Sequence, residues 1–320
     1  MEITFLGTSS GVPTRSRNVS SVALRLPQRA EVWLFDCGEG TQHQWLRSDL
    51  KISQLHRIFI THMHGDHIFG LMGLIASIGL ASTGQKIDIY GPPGLNDYLS
   101  ACAKFAYMSL QNRIRVKIVK PGVVFEDNEF RVVCDRLTHR VPAFGYRVEE
   151  KERPGKFNLA RAQALGIPPG PLYGKLKQGQ VVTLPDGRKI RGVELCGKPR
   201  PGRKFAYCTD TVFCEAAIAL AEGVDLLIHE ATFAHRDAPL AFERLHSTST
   251  MAAQVALAGG VKHLIMTHFS PRYAPGNELT LEDLLQEAQA IFPQTSLAAD
   301  YLTYAIPRSV SAPSPVLTSS

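Results

Sequence analysis

Four side chains able to hold a metal ion stand within six residues at Thr61-His62-Met63-His64-Gly65-Asp66-His67. The β-rich run Arg57-Ile58-Phe59-Ile60 precedes them and an apolar helical pattern follows. Alternate side chains at a strand end share a face, so His62 and His64 project together, and a turn at Gly65 returns Asp66 and His67 toward them. Imidazoles with a carboxylate and no thiolate suit zinc, with manganese or another divalent ion as alternatives. Ordinary loop histidines fit poorly, because this density of ligand-type residues at a strand end is unusual.

Three further candidates follow other β-rich runs. His139 comes after the run ending near Cys134, Asp210 after Phe205-Ala206-Tyr207-Cys208-Thr209, and His268 after Leu264-Ile265-Met266-Thr267. Taken singly, each reads equally as a capping or hydrogen-bonded loop residue; their shared strand-end context makes them ligand candidates. The elements that must position them alternate along the chain. Strands are predicted at 3–6, 21–26, 32–35, 57–60, 87–90, 116–119, 130–134 and 144–148, and again at 205–208, 226–228 and 263–266. Helical spacing covers 39–47, 67–80, 95–106, 215–221, 249–258 and 281–291. Two halves of similar make-up imply an α/β sandwich with helices outside two sheets.

A segment of different character separates the halves. From Lys151 to Lys204 thirteen Lys or Arg stand against three acidic residues, a local balance of +10; the chain as a whole carries +6, so the remainder carries −4. Gly166-Ile167-Pro168-Pro169-Gly170-Pro171-Leu172-Tyr173-Gly174-Lys175 and Lys198-Pro199-Arg200-Pro201-Gly202-Arg203 read as punctuation rather than helix or central strand. The expectation is a catalytic domain over 1–306 interrupted by a basic, flexible arm at 151–204, with a disordered Ser- and Pro-rich tail at 307–320. At 44% hydrophobic and 20% charged, the 320 residues can bury a large core, which excludes wholesale disorder. The longest apolar runs fall short of the roughly eighteen residues of a membrane span, and the first residues lack a secretory signal, so a soluble, cytoplasmic protein is expected. Six scattered cysteines read as reduced and mostly in the core.

The order His-x-His-x-Asp-His, then His, Asp and His, resembles the metallo-β-lactamase superfamily over most of the chain. That resemblance implies an αβ/βα sandwich with a two-metal site where the sheets meet. His62, His64 and His139 would hold one zinc ion, Asp66, His67 and His268 the other, and Asp210 would bridge them. More narrowly, Gly7-Thr8-Ser9-Ser10-Gly11-Val12-Pro13 and Phe35-Asp36-Cys37-Gly38-Glu39-Gly40-Thr41-Gln42 resemble the ribonuclease Z family, endonucleases that mature tRNA 3′ ends. His229-Glu230-Ala231-Thr232, His246-Ser247-Thr248 and the Gly-Pro-rich stretch from Gly166 to Gly179 agree with it. The length is similar to the family's short form, which implies a homodimer in which one subunit's arm presents precursor tRNA to the other's site.

The same resemblance makes Asp66, Glu230 and His246 the catalytic residues. Expelling a ribose 3′-oxygen is helped by a proton donor near neutral pKa, and Glu230 would orient and charge His246 for that role. Asp36 and Glu39 read as turn-shaping or ligand-supporting residues. RNA contacts are expected from Gly170, Pro171, Lys175 and Lys177 in the arm, and from Arg15, Arg17 and Asn18 in the loop Pro13-Thr14-Arg15-Ser16-Arg17-Asn18. That loop has Arg where the family's pattern, which discourages binding of mature CCA ends, has Lys; charge survives with altered geometry. The reading is therefore a zinc-dependent endoribonuclease that removes 3′ trailers after the discriminator nucleotide, leaving a 3′-hydroxyl on the tRNA and a 5′-phosphate on the trailer. A hydrolase of small esters or cyclic phosphodiesters would need no arm, and an RNA-binding protein with a degenerate site would not keep the full ligand set.

Overall fold

The computed structural model describes residues 1–80, 86–109 and 114–308, so most of the tail expected to be disordered, from 309 onward, lies outside the described residues. The chain divides into two compact units, one of Met1–Glu126, Arg131–Val148 and Lys204–Ile306, the other centred on Glu149–Arg203. In the first unit an antiparallel meander of β1 (Glu2–Gly7), β2 (Ser21–Leu26) and β3 (Glu31–Phe35) runs into a parallel series. That series passes through α1 (Thr41–Leu46), β4 (Leu55–Phe59), α2 (Gly65–Ile68), α3 (Leu71–Leu80), β5 (Ile87–Gly91), α4 (Leu95–Phe105) and β6 (Ile114–Ile118). A second sheet starts with β7 (Gly122–Glu126), β8 (Phe130–Leu137) and β9 (Ala143–Glu150).

After β9 the chain builds the second unit from α5 (Leu159–Ala164), α6 (Pro171–Lys177) and the antiparallel pair β10 (Val181–Thr183) and β11 (Lys189–Arg191). The second sheet then resumes with β12 (Lys204–Cys208), α7 (Glu215–Ala221), β13 (Leu226–Glu230), α8 (Ala238–Arg244), α9 (Ser249–Ala258), β14 (Leu264–Thr267), α10 (Leu281–Gln289) and β15 (Thr295–Leu297). Last, β16 (Thr303–Ala305) crosses back to pair with β1. The sheet orders are β16-β1-β2-β3-β4-β5-β6 and β15-β14-β13-β12-β9-β8-β7. Among the described residues no helix is long and apolar enough to cross a membrane.

Period-two alternation explains the layering. Val32 and Leu34 of β3, Ile58 of β4, and Ile87 and Ile89 of β5 face the helices, where they join Leu71, Leu74 and Leu99 in one buried cluster. Their neighbours Trp33, Phe35, Phe59 and Tyr90 face the other sheet and meet Phe125, Tyr146, Phe205 and Tyr207. Phe59 lies at the centre of this aromatic layer, 5.0 Å from Phe35, 4.9 Å from Tyr90 and 5.3 Å from Tyr146 between ring centroids. Phe59→Ala should therefore cost about 3–5 kcal/mol of stability in urea unfolding followed by near-ultraviolet circular dichroism. A loss below about 1 kcal/mol would mean the sheets repack without it.

Three differences from the sequence expectation have local causes. The helix expected over 67–80 is broken at Phe69–Gly70, where the Gly70 amide donates to the Cys37 carbonyl and a Cβ on Gly70 would lie 2.0 Å from the Gly38 carbonyl oxygen. The strands β7, β15 and β16 and the helix α8 lie in stretches where no regular element was expected. The basic segment, read as punctuation, contains regular structure. Pro171 opens α6 at a position where its missing N–H is harmless, and Tyr173 and Leu176 pack with Ala162, Ile167, Val182 and Leu195 in a small core of the second unit. Gly and Pro there bound short elements rather than replace them. All six cysteines are free; Cys37, Cys134 and Cys208 are buried and the other three partly exposed.

Candidate metal centre

Every candidate ligand sits just beyond the end of a strand or in the turn after it. His62 and His64 follow β4, Asp66 and His67 lie on α2, His139 follows β8, Asp210 follows β12 and His268 follows β14. Two of these, with the neighbouring Asp36 after β3, leave their strands in the left-handed region, at φ 55° for Asp210, 60° for His268 and 57° for Asp36. Non-glycine residues held there cost about 1–3 kcal/mol each, and such strain concentrates at functional sites.

The fold gathers the seven side chains into two adjoining groups. In one, His62 Nε2 and His139 Nε2 stand 3.0 and 3.2 Å from His64 Nδ1, and 3.6 and 3.8 Å from Asp210 Oδ2. In the other, His67 Nε2 and His268 Nε2 each stand 3.4 Å from Asp66 Oδ2 and 3.3 Å from Asp210 Oδ1. Four donors around one ion at about 2.0–2.1 Å in a tetrahedron are roughly 3.3 Å apart, so both groups have the spacing of a ligand set. Asp210 presents one oxygen to each group. The Nε2 of His67 is buried with no hydrogen-bond partner, a costly state for a polar atom unless something else satisfies it.

Supporting hydrogen bonds select the inward-facing nitrogens. His67 Nδ1 donates to Asp36 Oδ2 at 2.9 Å and His139 Nδ1 to the Leu245 carbonyl at 2.9 Å. Thr61 gives its hydroxyl proton to Asp36, so it accepts from His62 Nδ1 at 3.0 Å. Thr232 gives its proton to Glu230 and accepts from His268 Nδ1 at 3.0 Å. Each of these four rings thereby turns its Nε2 toward the centre, the arrangement that orients ligating histidines. His64 differs, turning its Nδ1 inward. Asp36, which also accepts from Tyr207, is thus a hub for orienting ligands, and Gly38 lets its loop pass Asp66, since a Cβ there would lie 2.3 Å from the Asp66 carbonyl oxygen.

Electrostatics favour cations in this cluster. Burial pushes His62, His64 and His139 below the usual imidazole range and keeps them neutral, as ligands must be. Burial acts the same way on His67, but attraction to Asp210, Asp66 and Asp36 overcomes it and holds this ring well above that range. Asp66 and Asp210 stay ionised: burial opposes their charge, and the facing histidines outweigh it. Buried carboxylates at this density need cationic partners, and divalent ions among imidazole and carboxylate donors meet that need.

Beside the second group, Glu230 at the end of β13 is completely buried. It accepts from Thr211 N at 2.7 Å, Ser247 N at 3.0 Å and His246 Nδ1 at 3.0 Å. Burial opposes both charges of this pair; the attraction to Glu230 nevertheless raises His246 to about 9, and Glu230 is lowered. His246 lines a cleft of about 400 Å³ together with His64, His139 and Ser10. Arg140, Arg244 and Arg272 line the same cleft, with Arg272 over the Phe233 ring at 5.3 Å to its centroid.

The loop residues named from the sequence divide. Arg15 is exposed. Arg17 instead turns inward to Thr8 Oγ1 and the Ala298 carbonyl, both at 2.7 Å, and Asn18 donates to the Glu39 carbonyl. Both side chains are consumed in shaping the loop. In the second unit Gly170 precedes α6, Pro171 opens it, and Lys175 and Lys177 are exposed in its last turn. Sequence reasoning missed the cleft arginines, which lie in no motif; Thr232, inside His229-Glu230-Ala231-Thr232, was available as a signal.

A αβ/βα sandwich with a His/Asp cluster along the strand ends defines a metallo-β-lactamase-fold protein of the divalent-metal class. Two family models match, one described as a beta-lactamase superfamily domain over residues 190–269, the other as anti-Pycsar protein Apyc1 over 1–146. The chain is 75% identical over 308 residues to a ribonuclease Z of Picosynechococcus sp., covering 96% of this chain and 97% of that one. It is 72% identical over the same length to a ribonuclease Z of Microcystis aeruginosa, covering 96% and 97%. A crystal structure of the short form of human tRNase Z superposes with a TM-score of 0.70 at 32% identity, covering 96% of this chain and all of that one. The chain belongs to the ribonuclease Z family.

Proposed function

We propose that this protein is a zinc-dependent endoribonuclease that removes 3′ trailers from precursor tRNA, cutting after the discriminator nucleotide. The observation that carries the reading is the Glu230–His246 pair set against the shared carboxylate of Asp210, 3.9 Å from His246 Nδ1, in a chain that matches a ribonuclease Z over 96% of its residues. His62, His64, His139 and Asp210 would hold one zinc ion, and Asp66, His67, His268 and Asp210 a second. Bound there, divalent ions supply activated water and stabilise charge on the phosphate oxygens.

The protein's own groups do the rest. Asp66, whose Oδ2 accepts from the Gly11 amide at 2.9 Å, is a proton acceptor at the attacking side. His246 keeps Nδ1 on Glu230 and has Nε2 left to protonate the departing ribose 3′-oxygen. Water would give a proton to Asp66 and form a new bond to phosphorus as the phosphorus–3′-oxygen bond breaks, so the tRNA keeps a 3′-hydroxyl and the trailer a 5′-phosphate. Arg140, Arg244 and Arg272 supply cationic contacts for the RNA backbone at the cleft, Arg15 adds charge from its loop, and Arg17 and Asn18 fix that loop. The basic second unit, with Gly170, Pro171, Lys175 and Lys177, grips the tRNA body through phosphates. The enzyme works as a homodimer in the cytoplasm.

Mapping the cleavage of an end-labelled precursor tRNA with added zinc or manganese tests this directly. A single cut beside the discriminator nucleotide by the wild type, absent in Asp66→Ala, is the expected result. A metal-loaded wild type that leaves the precursor intact yet hydrolyses bis(p-nitrophenyl) phosphate would mark a small-substrate hydrolase instead.

A further inference from the structure

The loop from Thr8 to Asn18 borders the cleft through Ser10 and exposes Val12 and Arg15 at its tip. It is pinned at two places by carboxylates. Near the tip the Gly11 amide donates to Asp66 Oδ2 at 2.9 Å. At its base the partner is Asp300, which no motif contains. Asp300 Oδ1 accepts from Thr8 Oγ1 at 2.7 Å, and Oδ2 accepts from the Asn18 amide at 2.7 Å and from Gln44 Nε2 at 2.8 Å. Thr8 and Asn18 are the two ends of the loop, so one carboxylate closes it.

The backbone around Asp300 is rigid for a topological reason. Residues 298–302 carry the chain from β15 in one sheet to β16 in the other. The Ala298 amide donates to Met266 of the second sheet, while Tyr301 N donates to Phe5 O and Phe5 N to Leu302 O in the first. Tyr301 adopts φ 66° and its hydroxyl donates to Gln44 Oε1. Arg17, reaching the Ala298 carbonyl and Thr8, ties the loop to this same crossing. The loop is also hydrogen-bonded to the residue after the ligand His268, through Phe269 N to Thr8 O and Ser10 N to Phe269 O. A displacement at its base therefore reaches the cleft mouth.

We propose that Asp300 is a positioning residue that locks the 8–18 loop to the junction of the two sheets, and so sets how the RNA end is seated at the cleft. It touches neither substrate nor the reacting atoms. Asp300→Asn is nearly isosteric but removes the charge: with Nδ2 toward Thr8 the hydroxyl must reverse to accept, and with Nδ2 toward Asn18 and Gln44 it faces two donors, so the closure is weakened in either orientation. The proposal rests on the RNA-processing function above, and the test keeps the two apart. Steady-state kinetics of wild type, Asp300→Asn and Gln44→Leu would be compared on precursor tRNA and on bis(p-nitrophenyl) phosphate, with melting temperature and metal content recorded.

The expected result is a fall in kcat/KM of about tenfold on the RNA for Asp300→Asn, carried mainly by KM, and a smaller fall for Gln44→Leu. Hydrolysis of the small diester should stay within about threefold of wild type, as should metal content, because the ligand sets are untouched. Parallel loss on both substrates would reduce Asp300 to a fold-stabilising role and overturn the proposal; unchanged RNA kinetics in both variants would do the same. If Asp300→Asn does not fold, Gln44→Leu alone decides between these outcomes. A wild type inactive on precursor tRNA would remove the functional reading first, and this proposal with it.

Discussion

Asp210→Ala should abolish stoichiometric binding of divalent metal and lower precursor cleavage by on the order of a thousandfold, since the charge stabilisation such ions provide amounts to several kcal/mol. The size of the effect follows from position. Asp210 Oδ1 stands 3.3 Å from both His67 Nε2 and His268 Nε2, while Oδ2 stands 3.6 Å from His62 Nε2 and 3.8 Å from His139 Nε2. One substitution therefore opens both ligand groups, whereas His62→Ala or His268→Ala opens one. The comparison to make is metal content by mass spectrometry alongside single-turnover cleavage for the three variants. Asp210→Ala should lose its divalent metal and each histidine variant should keep part of it. If Asp210→Ala keeps full metal and wild-type turnover, Asp210 is not a shared ligand. Melting curves guard against collapse of the variant, because a buried carboxylate is being removed from among facing histidines.

What could be read in the sequence was local. The strand at 21–26 and the helices at 215–221 and 249–258 appear within the boundaries that alternation and helical spacing give. For the last of these the start is chemically marked, with Thr248 Oγ1 accepting from the Met251 amide. The strands at 122–126, 295–297 and 303–305 were not legible, because two have only three residues and the third is an edge strand exposed on several positions. The strand at 303–305 exists only through its pairing with Glu2–Thr4 at the other end of the chain. The same divide runs through the site. His62, His64, Asp66 and His67 announce themselves within six residues, whereas His139, Asp210 and His268 gain meaning only from their order relative to that motif, which resembles the superfamily's.

Least legible were the residues whose role is set by direction rather than identity. Arg17 and Asn18 read as cations and amides offered to RNA, and the fold turns both into the loop. Asp36 reads as a turn residue, yet its left-handed backbone aims one carboxylate at Thr61, His67 and Tyr207 together. The pairing of Thr8 with Asp300 spans 292 residues. No window of sequence contains such information, because it arises where two sheets close on each other.

Excising the second unit should reduce precursor cleavage by two orders of magnitude or so in kcat/KM, through the loss of phosphate contacts that dominate nucleic-acid affinity. The chain offers a place to cut. Phe157 and Cys196 form an isolated bridge, and the Gly197 amide donates to the Lys156 carbonyl at 2.9 Å, so residues 157–196 can be replaced by a short Gly-Ser turn. The excised piece carries its own small apolar core around Tyr173 and Leu176 and contains none of the candidate metal ligands. It takes with it Arg161, Lys175, Lys177 and Lys189, all exposed and without an ion pair among the described residues. Arg188, by contrast, is matched by Asp186 at 2.6 Å. Each lost phosphate contact should lower the slope of log affinity against log salt by about 1, which a filter-binding series in salt measures separately from catalysis. Hydrolysis of bis(p-nitrophenyl) phosphate should stay within about threefold, because that substrate reaches no further than the cleft. A milder variant, Lys175→Glu with Lys177→Glu and Lys189→Glu, should shift the salt slope in the same direction while leaving the fold of the unit intact. Equal losses on the RNA and the small diester would show that the basic unit supports the catalytic domain rather than holding the RNA, and an unchanged salt slope would place the phosphate contacts elsewhere on the protein.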